Sequence, residues 1–304
     1  MSLPAAPAAP AAMSSRYFLV GYLPAYASLL FLLVLVWADG GPGTSFKRAW
    51  RTAAALSAAQ IVLIALLVLL LTLLATPFQL SLVRLLEAGW PGRLGAAATR
   101  RQLDRKHELA RAAELTGTDD AAVLRAGRAG WELRHRFPLP DHLVRPTGLG
   151  NILAAMEDRA GRDYGLDAVI AWPRLYPMLN AGTKAVVDDR RGTLDLLTRL
   201  TVTGFVTALA ALVILLKAGV WVLLAVVPAG VGVLAYLGAL RAALAYGESV
   251  QAAFDTHHLT FGAALGLDRP ATPEAERQAY RQLCDLWRQG VPPTYSYAAD
   301  QGKT

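Results

Sequence analysis

The chain has 304 residues, of which 54% are hydrophobic and 17% are charged, whereas average soluble domains carry about 25% charged residues. The net charge of +7 is compatible with nucleic-acid binding, but the chain has no RNP box, zinc finger or Lys/Arg-rich tract, so we expect no nucleic-acid partner. The single cysteine, Cys284, excludes an internal disulfide framework and a cysteine-rich metal site.

The apolar residues gather in long runs, which is typical of membrane proteins. Residues 1–15 are an Ala/Pro low-complexity segment that predicts a disordered tail. Residues 16–91 are predicted to form a first transmembrane hairpin, with spans at about 17–38 and 56–75, plus an amphipathic helix over 78–90. A cleaved signal peptide is the alternative for the first run, but its apolar stretch is long for that role.

The connection between these two spans is predicted to be a short loop that holds Lys47, Arg48 and Arg51. Thr76-Pro77 is predicted to end or kink the second span, because proline removes a helical hydrogen bond. The amphipathic helix that follows has two interpretations: it lies in the headgroup layer, or it packs on the soluble domain.

Residues 92–199 are predicted to form a soluble helical domain. Its first helix is polar and rich in charge. A second helix runs to about Phe137, and we expect Leu124 and Trp131 to be its buried residues. The sequence Pro138-Leu139-Pro140 then ends it.

Residues 200–246 predict a second transmembrane hairpin, with spans at about 200–216 and 220–240 joined by a tight turn. The third span continues a helix of the soluble domain, and Pro228, Gly230 and Gly232 are expected to bend the fourth and to let a neighbouring helix approach closely.

Residues 247–304 predict amphipathic C-terminal helices and a tail, with Thr272-Pro273 beginning the last helix and Gly290 ending it. The predicted fold class is therefore an all-α membrane protein, in which two transmembrane helical hairpins flank a helical soluble domain and membrane helices extend into that domain.

The segment 145–179 has the densest mixture of Gly, Pro, carboxylates, Arg and aromatic residues. Thr147 or Asn151 is predicted to begin a helix, and Gly161 and Gly165 to weaken and end it. Residues 166–172 fit either a strand or a short helix, because their apolar run is too short for periodicity to decide. Trp172 precedes a proline and is expected to be extended. The predicted buried stripe of the helix is Leu149, Ile152, Leu153, Met156 and Ala160.

Four stretches carry a resemblance to a known family. They are SLVRLLEAGWP (81–91), PTGLGNILAAMED (146–158), YGLDAVIAWPRL (164–175) and YGESVQAAFDTHHL (246–259). Together, and in this order, they resemble an uncharacterised bacterial family of integral membrane proteins with four spans. The resemblance implies a membrane setting and no reaction.

The chain departs from that pattern at two places. Gly148 stands where the family pattern has Arg, and Ala88-Gly89 stands where it has Gly-Tyr. Any function that relatives derive from those positions does not transfer to this chain.

A charged cluster in the central segment is the candidate structural or functional site. Four carboxylates fall within eleven residues, which fits either an acid/base or divalent-ion site or a network of ion pairs and helix caps. We favour the network and expect a buried Arg174–Asp167 pair. The cluster consists of Asn151, Glu157, Asp158, Asp163, Asp167, Trp172 and Arg174.

No catalytic residue, metal site or cofactor is predicted. The chain lacks G-x-S-x-G, S-x-x-K, HExxH and a phosphate loop, so we lean against an enzyme. Asp255 and His258 lie one helical turn apart, so a metal site that includes them is an alternative. A packed interfacial helix is the favoured interpretation.

The first functional hypothesis is a membrane-anchored adaptor or scaffold whose helical domain binds a protein partner. The alternative is an oligomeric channel or membrane-permeabilising effector, with Thr201, Thr203 and Thr207 toward the pore. A weaker alternative is an interfacial enzyme acting on a lipid-linked or phosphorylated substrate. The expected partners are the lipid bilayer and either a protein or further copies of the chain.

We expect the protein to lie in the bacterial cytoplasmic (inner) membrane. It would cross that membrane several times and have its main soluble domain in the cytoplasm. Four spans put both termini and that domain on one side, which carries most of the arginines near the spans. The 39–51 connection argues the other way, because short loops count most in the positive-inside rule.

Overall fold

The structure is a computed structural model. It describes residues 13–38, 41, 43–87, 90, 92–114, 117 and 119–293, without the side chains of 13–22, 75–80, 82 and 85. The regular elements of the described part are all helices, and no strand occurs there, which confirms the all-α fold class. Helix α1 begins at Met13, inside the predicted disordered tail, and residues 1–12 and 294–304 lie outside the described residues.

The α-helices follow one another with short connections. Short 3-10 helices lie at Asp141–Leu143, Arg162–Tyr164, Tyr176–Met178 and Gly219–Ala225. The α-helices are α1 (Met13–Trp37), α2 (Phe46–Ala54), α3 (Ala58–Glu87), α4 (Gly92–Ala113), α5 (Asp120–Arg136), α6 (Gly148–Arg159), α7 (Ala168–Leu175), α8 (Ala181–Leu215), α9 (Val226–Ala264) and α10 (Pro273–Gln289).

Within the described residues, two helices are long and apolar enough to cross a membrane: α8, and the helix Gly219–Ala264 that includes α9. A third candidate span is the pair formed by α2 and Ala58–Leu74, which is bent by 114° between its two parts. The apolar stretch Leu23–Trp37 of α1 is shorter.

Two predictions in the first part of the chain are wrong. The connection predicted as a loop is the helix α2, because Phe46 and Ala49 find apolar packing partners there. Of the two outcomes predicted for Thr76-Pro77, an end of the helix is wrong, and the segment predicted as an amphipathic helix is the continuation of the second apolar helix to Glu87. A proline removes one helical hydrogen bond, whereas ending the helix leaves several backbone groups without partners.

The tight turn after α8 leads into the 3-10 helix Gly219–Ala225, and Pro228 lies in the first turn of α9. Proline fits this position because the first N–H groups of a helix have no helical acceptor. The predicted close approach is confirmed: a Cβ atom at Gly204 of α8 would lie 2.8 Å from the Cα atom of Gly232 in α9.

The chain divides into two compact units. Among the described residues, we call 13–86 with 193–241 the apolar unit, and 87–192 with 242–293 the polar unit; α8 and α9 each contribute to both. The apolar unit exposes large aliphatic side chains, among them Leu63, Leu209 and Leu234.

In the polar unit, α4 and α5 pack on each other through small residues, and the prediction that Leu124 and Trp131 are buried is wrong. Ala122 and Ala129 form the buried side of α5, while Leu124 is 73% exposed and Trp131 is 46% exposed. Alanine lets two helix backbones approach closely, so the larger side chains face outward.

The central segment forms α6 and α7. The predicted buried stripe of α6 is confirmed, and the 166–172 run is helical from Ala168 onward. Trp172-Pro173 lies inside α7, so the expected extended Trp172 is wrong. The oxygen of the Asp167 side chain accepts hydrogen bonds from two N–H groups of the first turn, and Trp172 and Leu175 are buried. Capping and burial together outweigh the preference of a residue before proline.

The last helix, α10, has the predicted ends. The Thr272 hydroxyl accepts from the Ala275 N–H at 3.2 Å, and Gly290 ends the helix at φ +70°. Tyr280, Leu283 and Cys284 form its buried face.

The close contact between α8 and α9 predicts that Gly204→Ala is destabilising, by about 2 kcal/mol, because the added Cβ atom meets backbone rather than a flexible side chain. Gly230→Ala is the matched control, since a Cβ atom there meets nothing within 4 Å. Thermal unfolding of the detergent-solubilised protein measures both, and equal midpoints for the two variants would contradict the packing.

Candidate functional site

A cavity of about 540 Å³ lies in the polar unit beside α6, the start of α7 and α10. Three carboxylates of the predicted cluster line it: Glu157, Asp158 and Asp167. Arginines also line it, and we call this site the arginine–carboxylate cavity. Its charged lining residues are Arg145, Arg162, Arg281 and Arg288 with Glu157, Asp158, Asp167 and Asp285.

Asn151 is fully buried and holds the backbone of Arg145 at both polar groups. The Asn151 Oδ1 atom accepts from the Arg145 N–H at 2.6 Å, and its Nδ2 donates to the Arg145 carbonyl at 2.9 Å. The same Nδ2 donates to Gln102 Oε1 at 3.3 Å. This geometry is possible because Thr147 caps α6 and turns the chain just before the helix. Asn151 therefore positions Arg145 from behind the cavity.

Arg145 then pairs with Glu157 inside the cavity wall. Its Nη2 atom donates to Glu157 Oε2 at 2.7 Å, and the two side chains are 18% and 9% exposed. Burial raises the pKa of the Glu157 carboxyl above its usual range, and the guanidinium of Arg145 offsets only part of that rise. An ion pair with so little water contact is costly to break from one side.

Asp158 uses both of its oxygens within the fold. Oδ2 accepts from the Leu139 N–H at 2.9 Å, and Oδ1 accepts from Arg162 one helical turn further along. This carboxylate therefore ties the segment after α5 to the end of α6.

Asp167 is also fully engaged. Oδ1 caps α7 by accepting from the N–H groups of Val169 at 2.9 Å and Ile170 at 3.3 Å, and Oδ2 pairs with Arg288 of α10. Its own N–H donates to the Cys284 sulfur at 3.3 Å. Burial raises the pKa of that thiol, which disfavours the thiolate that nucleophilic chemistry needs.

The expected Arg174–Asp167 pair is wrong. Arg174 lies seven residues after Asp167, about 10 Å along a helix, and its guanidinium stacks over the Trp287 ring at 4.4 Å from the centroid. Its Nη1 atom donates to the Ile170 carbonyl at 2.7 Å. Arg174 thus fastens α7 to α10 by a cation–π contact rather than by an ion pair.

The remaining predicted residues lie apart from the cavity. Trp172 is buried in the core, with its ring 5.9 Å from Phe254 and 5.6 Å from Tyr176. Asp163 is exposed and lines a separate recess beside Arg134 and Arg159. The structure therefore brings together three members of the cluster and Asn151 behind them, and places Asp163, Trp172 and Arg174 elsewhere.

The sequence interpretation missed the contribution of α10. Arg281, Asp285 and Arg288 recur at helical spacing on the side that faces the cavity, whereas the sequence pattern predicts only the apolar face of α10. Arg145, one residue before the motif Pro146–Asp158, was missed as well, because its role depends on the folded path of the chain.

A second polar cluster joins α9 to α10. His258 Nδ1 lies 2.5 Å from Glu276 Oε1, and the His258 ring stacks on Tyr164 with centroids 3.8 Å apart. Asp255 accepts from the Tyr164 hydroxyl at 3.1 Å rather than joining His258. Among the described residues, no group of three or more His, Cys, Asp or Glu side chains is arranged to hold a metal ion.

Comparison with family models, with curated proteins and with solved structures finds no match to the chain. The arrangement of the cavity therefore has to be interpreted from its own chemistry. A general acid or base needs a carboxyl group free to exchange a proton with substrate, whereas Glu157, Asp158 and Asp167 are each held by an arginine. This geometry is that of a network that joins α6, α7 and α10.

The amide of Asn151 predicts a large effect of its removal. Asn151→Ala leaves the Arg145 backbone without either partner, so we expect a loss of about 3 kcal/mol in the free energy of unfolding. Gln102→Ala removes only the 3.3 Å contact and is expected to cost about 1 kcal/mol or less. Denaturant titration in micelles measures both, and equal losses would contradict the positioning role.

The buried Glu157 predicts a pH dependence. Because its pKa is raised in the folded protein, its contribution to stability is present below pH 4.5 and is lost as the pH rises through the raised value. The free energy of unfolding of the wild type should therefore fall from pH 4.5 upward relative to Glu157→Gln.

Asp141 is a control for the same titration, because the shift of its pKa has the opposite sign to that of Glu157. Hydrogen bonds from Lys106 and His107 lower the pKa of Asp141, so its contribution is lost as the pH falls below 3.8. If the free energy of unfolding has the same pH dependence in the wild type and in Glu157→Gln, the raised pKa of Glu157 is contradicted.

Proposed function

We propose that the protein is a membrane-anchored adaptor, whose polar unit is a cytoplasmic helical domain that docks another protein. The apolar anchor consists of two hairpins with spans at about 17–38, 56–75, 200–216 and 220–240 in a bacterial inner membrane. Two to three helices of sufficient length and apolar character support the anchor, as do the aliphatic side chains that the apolar unit exposes.

The observation that carries the proposal is the exposed face of α5. Leu124, Arg128, Trp131 and His135 follow one another at helical spacing on this face, and we call them the α5 stripe. Trp131 and His135 stack with centroids 4.5 Å apart, and the His135 ring nitrogen Nδ1 lies 2.8 Å from the Trp131 carbonyl. The stripe is therefore held in shape before any partner binds.

The chemistry of the α5 stripe indicates the class of partner. Trp and Arg are among the residues in which protein interfaces concentrate their binding energy, and Leu124 adds apolar area beside them. Arg125 and Arg134 are exposed near the stripe, and the only carboxylate in α5 after its first turn is Glu132. An amphipathic helix with acidic flanks complements both its apolar and its basic character.

The other hypotheses have less support. Glu157, Asp158 and Asp167 of the arginine–carboxylate cavity are engaged in ion pairs, which disfavours an interfacial enzyme. Thr201, Thr203 and Thr207 are buried within the chain, and the Thr201 hydroxyl donates to the Leu197 carbonyl at 2.8 Å, which gives no support for a pore lined by these hydroxyls.

The test is co-purification from native membranes with wild type, with Leu124→Ala/Trp131→Ala, and with Leu94→Ala as a matched control. Leu94 lies on α4 of the same unit and is 75% exposed. We expect the double variant to lose about 2 kcal/mol or more of binding to a stoichiometric partner, while Leu94→Ala retains it.

Both variants change exposed side chains and should leave folding intact, which circular dichroism checks. If all three proteins retain the same partner equally, the α5 stripe is not the docking surface. If wild type brings down only further copies of itself, the adaptor proposal fails and ion conductance in liposomes becomes the next measurement.

A further inference from the structure

Helix α2 is fixed to the apolar unit by one of its sides. Ala49 is buried, and Phe46 meets Trp221 edge to face with ring centroids 4.9 Å apart. Phe46 also packs against a buried cluster that includes Leu35 and Leu215. This side of α2 is therefore a packed helix surface rather than part of a mobile connection.

The opposite side of α2 is cationic and aromatic. Lys47, Trp50 and Arg51 are exposed, and Trp50, at 77% exposure, is among the most exposed large side chains described. The helix sequence FKRAWRTAA contains no acidic residue. A further exposed cation, Lys217, is next to Ala218, which belongs to the same buried cluster as Leu35. The surface has positive charge with no anionic side chain in α2 to balance it.

The direction of α2 suits the surface of a bilayer. Its axis is bent by 114° from Ala58–Leu74. If that apolar helix stands along the bilayer normal, α2 lies roughly 24° from the membrane plane, which is the attitude of an interfacial helix. Tryptophan prefers this depth because its ring is amphipathic, and lysine and arginine reach the phosphate layer from it.

We propose that α2 is a binding site for anionic phospholipid headgroups, in which Lys47 and Arg51 contact the phosphates and Trp50 enters the interface. Each Lys or Arg near an anionic surface contributes about fivefold to membrane affinity, so a pair on one helix suffices to enrich anionic lipid locally. A protein partner is disfavoured as occupant, because the helices before and after α2 in the sequence are both apolar. The proposal rests on the apolar unit alone and is independent of the α5 stripe.

The test uses the full-length protein in vesicles of phosphatidylcholine and phosphatidylglycerol, with bromine on the acyl chains of one lipid or of the other. Bromine quenches nearby tryptophan fluorescence. The chain has seven tryptophans, so the difference between wild type and Trp50→Phe isolates the emission of Trp50. We expect brominated phosphatidylglycerol to quench this component about twofold more than brominated phosphatidylcholine at equal mole fraction.

Charge variants identify the residues responsible. Lys47→Gln/Arg51→Gln should lower the quenching ratio to about one, whereas the charge-conserving Lys47→Arg/Arg51→Lys should retain the wild-type ratio. Arg100→Gln/Arg105→Gln removes the same charge from exposed positions of α4 and should also retain it. The charge-conserving variant separates lost lipid binding from a folding defect.

Three outcomes would overturn the proposal. Equal quenching by the two lipids in the wild type means that α2 has no headgroup preference. The lack of quenching by either lipid means that Trp50 is outside the bilayer. Loss of the preference in the α4 variant as well means that net charge, rather than α2, selects the lipid.

Discussion

The polar unit depends on a fully buried amide, that of Asn151. An amide in the interior has to satisfy both its acceptor and its donor, and Asn151 does so on the backbone of one residue, Arg145. That link fixes where the Arg145 guanidinium lies, and hence allows Glu157 to be charged in a site with little water. Without it, the wall of the cavity contains a buried carboxyl group with no positioned cation.

Ion pairs in the cavity also connect the helices around it. Four arginines and four carboxylates line it. Asp158 also contacts the segment after α5, and Asp167 caps α7 and pairs with Arg288 of α10. Such pairs specify how α6, α7 and α10 meet more than they stabilise the fold, because the cost of desolvating charges offsets much of their attraction. Asp285 and Arg281 are exposed at the rim, where charge is solvated and contributes less.

Local features of the fold could be predicted from the sequence, whereas its long-range contacts could not. The cap at Thr147, the stripe of α6 and the ends of α10 follow from residue types at fixed spacing. The partner of Asp167 lies 121 residues away, and no local pattern indicates it. Helix α2 was missed because nine residues do not form a stable helix alone, and it depends on the packing of Phe46 against Trp221.

Trp131 and Trp50 are both exposed on helices rich in basic residues. The helices next to them in the sequence differ, and this difference favours a different binding partner for each surface. Trp131 lies on α5, which follows the charged helix α4 in the chain, and the complement proposed for its surface is a protein. Trp50 lies on α2, which together with Ala58–Leu74 forms the bent pair that is a candidate span. An aromatic ring with adjacent cations at such a boundary is at the depth where headgroup phosphates are found. The same side-chain chemistry therefore supports protein docking in the polar unit and lipid binding in the apolar unit.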